Sequence, residues 1–575
     1  MSKRLSSVVV GWVLLAAGCA ISPQTQKMAP GQAADHAEMT DEEAPSADFP
    51  PQVLYQLLIA EIAGQRGQMN VAVVNYLAAA KESRDAGIAE RAARIAVFAQ
   101  ALNEALEAAL LWVEVDPQNP EAYQVAAPLL LAFGRAPEAG EHYEKYIALS
   151  ADAPDHGLMQ IAGQLALDRN GVAAMAVMEQ LLESRQDNPY AWLSHAQLAM
   201  RLAKLDQALA SVDKALAIKG GWAPAIVLRA RILMLQGKKE AALAYLKEAR
   251  DSGLQDDIAV GLSYARLLAE NNQLEGARAE FERLTTIDPD NAEVFYAAGV
   301  LSLQLKDLDK AEAHLQQVLQ MGNRMLEASY YLGRVYEQKH DAARALQYYF
   351  EVRHGEFYLN AQARAASLLA EQGKLERAIE HLHSLRTNNQ DEKIRLYLVE
   401  GELLRKAGEY QRALDLFTAK LEESPNDTAL RYARALVAEK LDKLAMTEED
   451  LRAIIEREPS NAQALNALGY TLADRTDRYE EALQYIQRAL EVEPSDAAII
   501  DSLGWVQYRM GNYAKAVEYL RRALDLIKDP EIAAHLGEVL WTMGNKKDAI
   551  EVLEDALKEH PQHKVLLDVM KRFGL

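Results

Sequence analysis

An alanine returns along most of this chain at a spacing that constrains the fold more than any other feature. Ala72, Ala105, Ala139, Ala174, Ala208, Ala242, Ala277, Ala311, Ala345, Ala378 and Ala413 stand about 33 to 35 residues apart, and after one double step the series resumes at Ala482, Ala516 and Ala549. Each opens an apolar stretch of helical period, where a larger side chain would hold two packed helices apart. The double step holds a weaker unit, with Thr447 where alanine is expected and Pro459 at its end. A fixed period of this length marks stacked helix pairs, none of which can bury its apolar face alone. The spacing predicts an all-α solenoid of about fifteen pairs over residues 52–563, so the 575 residues count stacked units and not separate globular domains.

The clearest stretch runs from Asn461 to Leu524. Two units stand there in tandem, each with Leu-Gly in its first helix (Leu468-Gly469, Leu503-Gly504) and an alanine pair in its second (Ala482-Leu483, Ala516-Val517). Similar pairs stand at Ala298-Gly299, Leu332-Gly333, Glu400-Gly401 and Leu536-Gly537, where glycine lets the two helices approach. Gly237, Gly373, Gly408, Gly511 and Gly544 mark turns inside units. Pro117, Pro289, Pro425, Pro459, Pro494 and Pro561 punctuate between units, since proline cannot continue a helix. Trp192, Tyr336 and Tyr349 fill the slots where the pattern wants a large core residue. The last residues, 564–575, read as a capping helix with Lys564, Lys571 and Arg572 outward. The whole pattern resembles the tetratricopeptide repeat, and the resemblance implies a right-handed superhelix whose first helices line the concave side.

The net charge of −22 argues against nucleic-acid binding, which needs a basic stripe, and suits the solubility of a long exposed surface. The single cysteine, Cys19, excludes a disulfide within the chain. Its position is informative. Met1 to Cys19 reads MSKRLSSVVVGWVLLAAGC, with a charged start at Lys3 and Arg4 and an apolar stretch from Leu5 to Ala17. That stretch fits a signal-peptide core and is short for a membrane span. Ala16-Ala17-Gly18-Cys19 resembles a bacterial lipobox, in which the leader 1–18 is removed and the Cys19 thiol carries lipid. Ala16 departs from the usual Leu, Val or Ile, and an ordinary cleaved signal with an incidental cysteine is the other reading. Ala20 stands where Asp would favour the inner membrane, so the expected address is the outer membrane, lipid-anchored and facing the periplasm. Residues up to Pro51 have no apolar periodicity and read as a disordered tether with an acidic run, Asp41-Glu42-Glu43.

Little in the sequence carries chemistry. His381 and His383 are two apart and point to different faces of a helix, and no cysteine cluster or His-Glu-x-x-His motif is present, so no metal or other cofactor is expected. No nucleophile stands beside a base in a recognisable motif, and no enzyme activity is expected. The concave stripe is more informative. Tyr296, Tyr330, Arg334, Tyr432, Asn466, Tyr470, Asp501, Trp505, Tyr508, Glu538 and Trp541 fall on it. Aromatic residues there either bind a protein partner or pack against the next unit, and the sequence leaves both open.

Longer strings add specificity. They are Leu58-Ile-Ala-Glu-Ile-Ala-Gly-Gln-Arg-Gly, Asn466-Ala-Leu-Gly-Tyr-Thr-Leu-Ala-Asp-Arg-Thr, Asp501-Ser-Leu-Gly-Trp-Val-Gln-Tyr-Arg and Ala534-His-Leu-Gly-Glu-Val-Leu-Trp. With the lipobox, they resemble a family of proteobacterial tetratricopeptide lipoproteins that includes the binding partner of a periplasmic carboxyl-terminal processing protease. The resemblance implies a non-enzymatic adaptor that binds this serine protease and brings it substrates such as peptidoglycan hydrolases. The alternative is a scaffold or pilot-type lipoprotein for secretin, pilus or exopolysaccharide export assembly. The oligomeric state is not readable from the sequence.

Overall fold

A computed structural model describes residues 50–575, except 151–153, 169, 386 and 388. The leader, Cys19 and the expected tether lie outside the described residues, apart from Pro50 and Pro51; Pro51 is the first residue of the first helix. Among the described residues there are 31 α-helices and no strand. They form fifteen hairpins and a last single helix, Lys564–Phe573. The chain divides into two compact units, Met1–Asn323 and Arg324–Leu575. The first holds eight hairpins, from Pro51–Gln65 with Met69–Ser83 to Ala292–Gln304 with Leu308–Gln320. The second holds seven hairpins, from Met325–Gln338 with Ala342–Glu351 to Pro530–Thr542 with Lys546–Glu559, and then the last helix.

Every alanine of the recurring series is fully buried and stands fourth in the second helix of its hairpin. The reason is visible at the facing glycines. A Cβ on Gly469 would lie 2.5 Å from Ile486 Cγ1 and 2.9 Å from the Ala482 carbonyl oxygen. On Gly504 it would lie 2.6 Å from Leu520 Cγ and 3.3 Å from the Ala516 carbonyl oxygen. The first helix thus brings its glycine against the backbone of the second helix at the alanine. In the weaker unit Thr447 takes the alanine slot, buried, and its hydroxyl donates to the Ala435 carbonyl at 3.3 Å. That unit also buries Asp450, whose carboxylate accepts from Arg434 at 2.7 Å and 2.8 Å and from Arg431 at 3.1 Å. An enclosed carboxylate requires such partners.

Turns and caps complete the hairpins. Gly237, Gly373, Gly408, Gly511 and Gly544 all have positive φ. The same left-handed place is held in other hairpins by Gln100, Ala203, Asn272, Lys306, His340 and Asp442, which the sequence does not mark as turn residues. Each punctuating proline but the last is followed two residues on by an Asn or Asp that caps the next helix: Asn119, Asn291, Asp427, Asn461 and Asp496 accept from backbone N–H groups of the first turn. The Pro-x-Asn/Asp string therefore ends one helix and starts the next. Tyr336 and Tyr349 are core, as expected, while Trp192 is half-buried, donating its indole N–H to the Gln186 carbonyl at 2.8 Å. Substituting Gly469→Ala should destabilise the second unit by about 1–3 kcal/mol through overpacking, with Ala203→Gly as a neutral or stabilising control. Chemical denaturation checks this; an unchanged midpoint for Gly469→Ala would contradict the close approach.

Candidate protein-binding surfaces

The expected stripe falls into separate groups. Tyr296 belongs to the first unit and is enclosed in its core. Tyr330 is buried in the second unit, stacked on Phe357 at 4.6 Å and edge-on to Tyr331. These two present almost no surface, and packing explains them. Arg334 is half-buried with its guanidinium over the Tyr331 ring, and Tyr432 is half-buried against the core of its own stack. Asn466 is half-buried, and its side-chain oxygen is enclosed without a hydrogen-bond partner among the described residues.

The last three hairpins bring Tyr470, Asp501 and Trp505 together around His535. Its Nδ1 lies 2.9 Å from Asp501 Oδ1 and 3.1 Å from Oδ2. Its ring stacks on Trp505 at 4.3 Å, and its Nε2 is 3.5 Å from the Tyr470 hydroxyl. Trp505 is itself buried and donates its indole N–H to Asp474 at 3.2 Å. Tyr470 and His535 come from hairpins two steps apart. First helices of packed neighbours lie about 8–10 Å apart, so this contact places these first helices on the inner side of a local bend. Asp501 and Trp505 are therefore structural ties between hairpins. Tyr508, Glu538 and Trp541 keep accessible surface. Glu538 accepts from Arg572 of the last helix at 2.6 Å, and Tyr508 reaches Thr542 at 3.2 Å. Trp541 stacks on Phe573 at 4.6 Å, with the Lys546 ammonium over its ring.

Burial pulls the His535 pKa down, but the Asp501 carboxylate, with Glu531 and Glu538, more than offsets it, so the net shift is upward. A folded-state pKa above the unfolded value of about 6.5 adds stability that is complete below that value and is lost as pH rises through the folded pKa. His535→Gln keeps the ring's volume in part but not its charge. The thermal-stability gap between the parent chain and His535→Gln should be widest near pH 5.5 and narrow toward pH 9; a gap that widens with pH would contradict the ion pair.

A second surface lies on the first hairpin of the first unit, and the sequence pattern alone did not single it out. Helix Pro51–Gln65 buries Val53, Ala60 and Ala63 against its own hairpin. It leaves Leu54, Tyr55, Leu58 and Ile62, spaced along one face, about half exposed. Val71 and Val74 of the second helix are exposed as well. Glu61, the single charged residue of the first helix, is tied to Tyr76 and Arg91. In later hairpins this face is covered by the preceding pair. The last helix, by contrast, buries Leu566 and Val569 and turns Lys564, Lys571 and Arg572 outward. The signal was present: a helix apolar on both faces is either covered on both or waiting for a partner. His535 was also legible, standing beside Leu-Gly within the string at Ala534.

His381 and His383 diverge as expected, His381 edge-on to Phe350 and His383 at 2.8 Å from the buried Glu400 carboxylate. Among the described residues no group of three or more His, Cys, Asp or Glu could hold a metal ion, and no helix is long and apolar enough to cross a membrane.

Three tetratricopeptide repeat profiles match the chain, at residues 460–529, at 296–355, 363–428 and 502–564, and at 233–300. A TPR repeat-containing protein of Pseudomonas aeruginosa, PA4667, is 36% identical over 541 residues, covering 93% of this chain and 90% of that protein. The protein CTR9 homolog of Arabidopsis thaliana is 24% identical over 301 residues, 49% of this chain and 27% of that protein. Among solved structures, a tetratricopeptide repeat protein from Parabacteroides merdae covers 43% of this chain and 98% of its own at 18% identity, with a TM-score of 0.36. With hairpins that follow the repeat from Pro51 to Glu559 and a relative alike over nearly its full length, the chain belongs to the tetratricopeptide-repeat family.

Proposed function

We propose that this chain is a lipid-anchored periplasmic adaptor that binds a carboxyl-terminal processing serine protease and presents protein substrates to it, peptidoglycan hydrolases among them. Tetratricopeptide arrays bind protein partners, and the chemistry belongs to the partner. The observation that carries a two-partner reading is the apolar end of the first unit, uncovered among the described residues, set against the polar cap that closes the second. Exposed clustered apolar surface of this kind marks a protein contact. We assign that end to the protease and the accessible inner residues Tyr508, Glu538 and Trp541 to substrate. Holding both raises the effective concentration of one for the other without any catalytic group in the adaptor.

The test is reconstitution of protease, hydrolase and this chain. Cleavage of the hydrolase should rise at least about tenfold when the chain is added, a gain of effective concentration. Leu54→Asp with Leu58→Asp should abolish that gain and protease capture while leaving helical content intact, since both residues are exposed. Trp541→Ala should weaken hydrolase capture and spare protease capture. No effect of the chain on cleavage would overturn the adaptor reading; an effect that survives Leu54→Asp/Leu58→Asp would overturn the assignment of the apolar end.

A further inference from the structure

The turns joining first to second helices lie along one edge of a stacked array. In the first unit that edge holds large apolar side chains out in solvent. Phe98 is 75% exposed and Leu167 81% exposed, and Phe133, Val172 and Leu235 are exposed too. Their places correspond from hairpin to hairpin. Phe98 and Leu235 end helices Ala86–Phe98 and Ala223–Leu235, Phe133 follows Pro120–Ala132, and Leu167 and Val172 flank the turn before Gly171–Glu183. In the second unit the matching turns carry Lys339, Gln372 and Ala407, half-buried Leu441 and Met510, and the less exposed Tyr513 and Met543.

Charge separates this edge from the opposite one. Exposed Lys238 and Lys239 stand beside Leu235, and Arg66, Arg201 and Lys204 lie on other turns of this edge; the same edge also carries Glu104, Glu138, Asp168, Asp206, Glu240, Glu270 and Glu275. The turns that join one hairpin to the next carry Asp116, Asp187, Asp256, Asp257, Asp288 and Asp290. In a chain of net charge −22, the tip edge is thus close to balance between cations and carboxylates, whereas the opposite edge carries an excess of carboxylates. Single side chains one hairpin apart form no groove, so they do not suit a rigid protein partner, which needs shape complementarity. A fluid surface with apolar depth and anionic headgroups needs none. Tyrosine-free tips of Phe and Leu, with Lys238 and Lys239 beside Leu235, suit the boundary between headgroups and acyl chains. The expected lipid at Cys19 is joined to this same unit by only about 30 residues.

We propose that the turn edge of the first unit lies against the bilayer that carries the anchor, with Phe98, Leu167 and Leu235 entering the acyl boundary and Lys238 and Lys239 meeting lipid phosphates. The inference rests on the lipid-anchored reading, and its test separates the two. A Cys19→Ser chain with an N-terminal polyhistidine is held on nickel-chelating phosphatidylethanolamine–phosphatidylglycerol vesicles, so that attachment does not depend on lipidation. Nitroxides are placed singly by Phe98→Cys, Leu167→Cys and Leu235→Cys, and on the opposite edge by Asp256→Cys. Collision with oxygen relative to chromium oxalate should rise at least threefold on vesicles for the first three and stay unchanged for Asp256→Cys. Tip labels as water-accessible on vesicles as in solution would overturn the edge contact, and so would equal shifts on both edges. Separately, the parent chain from cells should float with vesicles; if it does not, the anchor reading fails, and the edge stands or falls on the label result.

Discussion

The contact on which the rest of this structure depends is the close approach of a hairpin's two helices at a buried alanine. Gly469 against Ala482 and Gly504 against Ala516 set how close the two helices of a hairpin lie. That closeness fixes which side chains point forward to the following hairpin. Nothing longer in range is required, since each hairpin packs chiefly on its neighbours. The same constraint leaves every hairpin with an apolar face that it cannot cover itself. Within the array the next pair covers it, and at the ends something else must.

The two ends solve that problem differently. The last helix closes the second unit with an amphipathic cover. The first hairpin has no cover among the described residues, and its helix Pro51–Gln65 is apolar on the outer as well as the inner face. Water against Leu54, Leu58 and Ile62 is unfavourable by roughly 25 cal/mol for each Å² of apolar area. Partner binding at that end removes the penalty, whereas the inner row of the last hairpins offers mostly ties that are already made, such as His535 with Asp501 and Trp505.

Much of the fold was legible because its constraint is local and periodic. The alanine series located every second helix, with Thr447 marking the irregular one, and the prolines located six of the joints. The candidate site was read less well. Position in the repeat places Tyr296, Tyr330, Asp501 and Trp505 on an inner row, but it does not say whether a neighbour one or two hairpins on has filled the space. His535 does so for Tyr470 and Trp505, and that depends on curvature, which a repeat pattern does not encode. The left-handed turns at Gln100 and Ala203 escaped notice because the backbone there is dictated by hairpin closure and not by the residue. The open end is hidden in the sequence because the outward Leu54, Leu58 and Ile62 fall at the same helical spacing that elsewhere marks a covered face.

The measurement that tests the central claim most directly is site-specific crosslinking in living envelopes, with a photoreactive amino acid at Leu58 and identification of what it captures. The adaptor account predicts a single dominant product, a carboxyl-terminal processing protease, lost when Leu54→Asp is added in the same chain. Capture of a secretin, pilus or exopolysaccharide-export component at Leu58, without any protease, would contradict it.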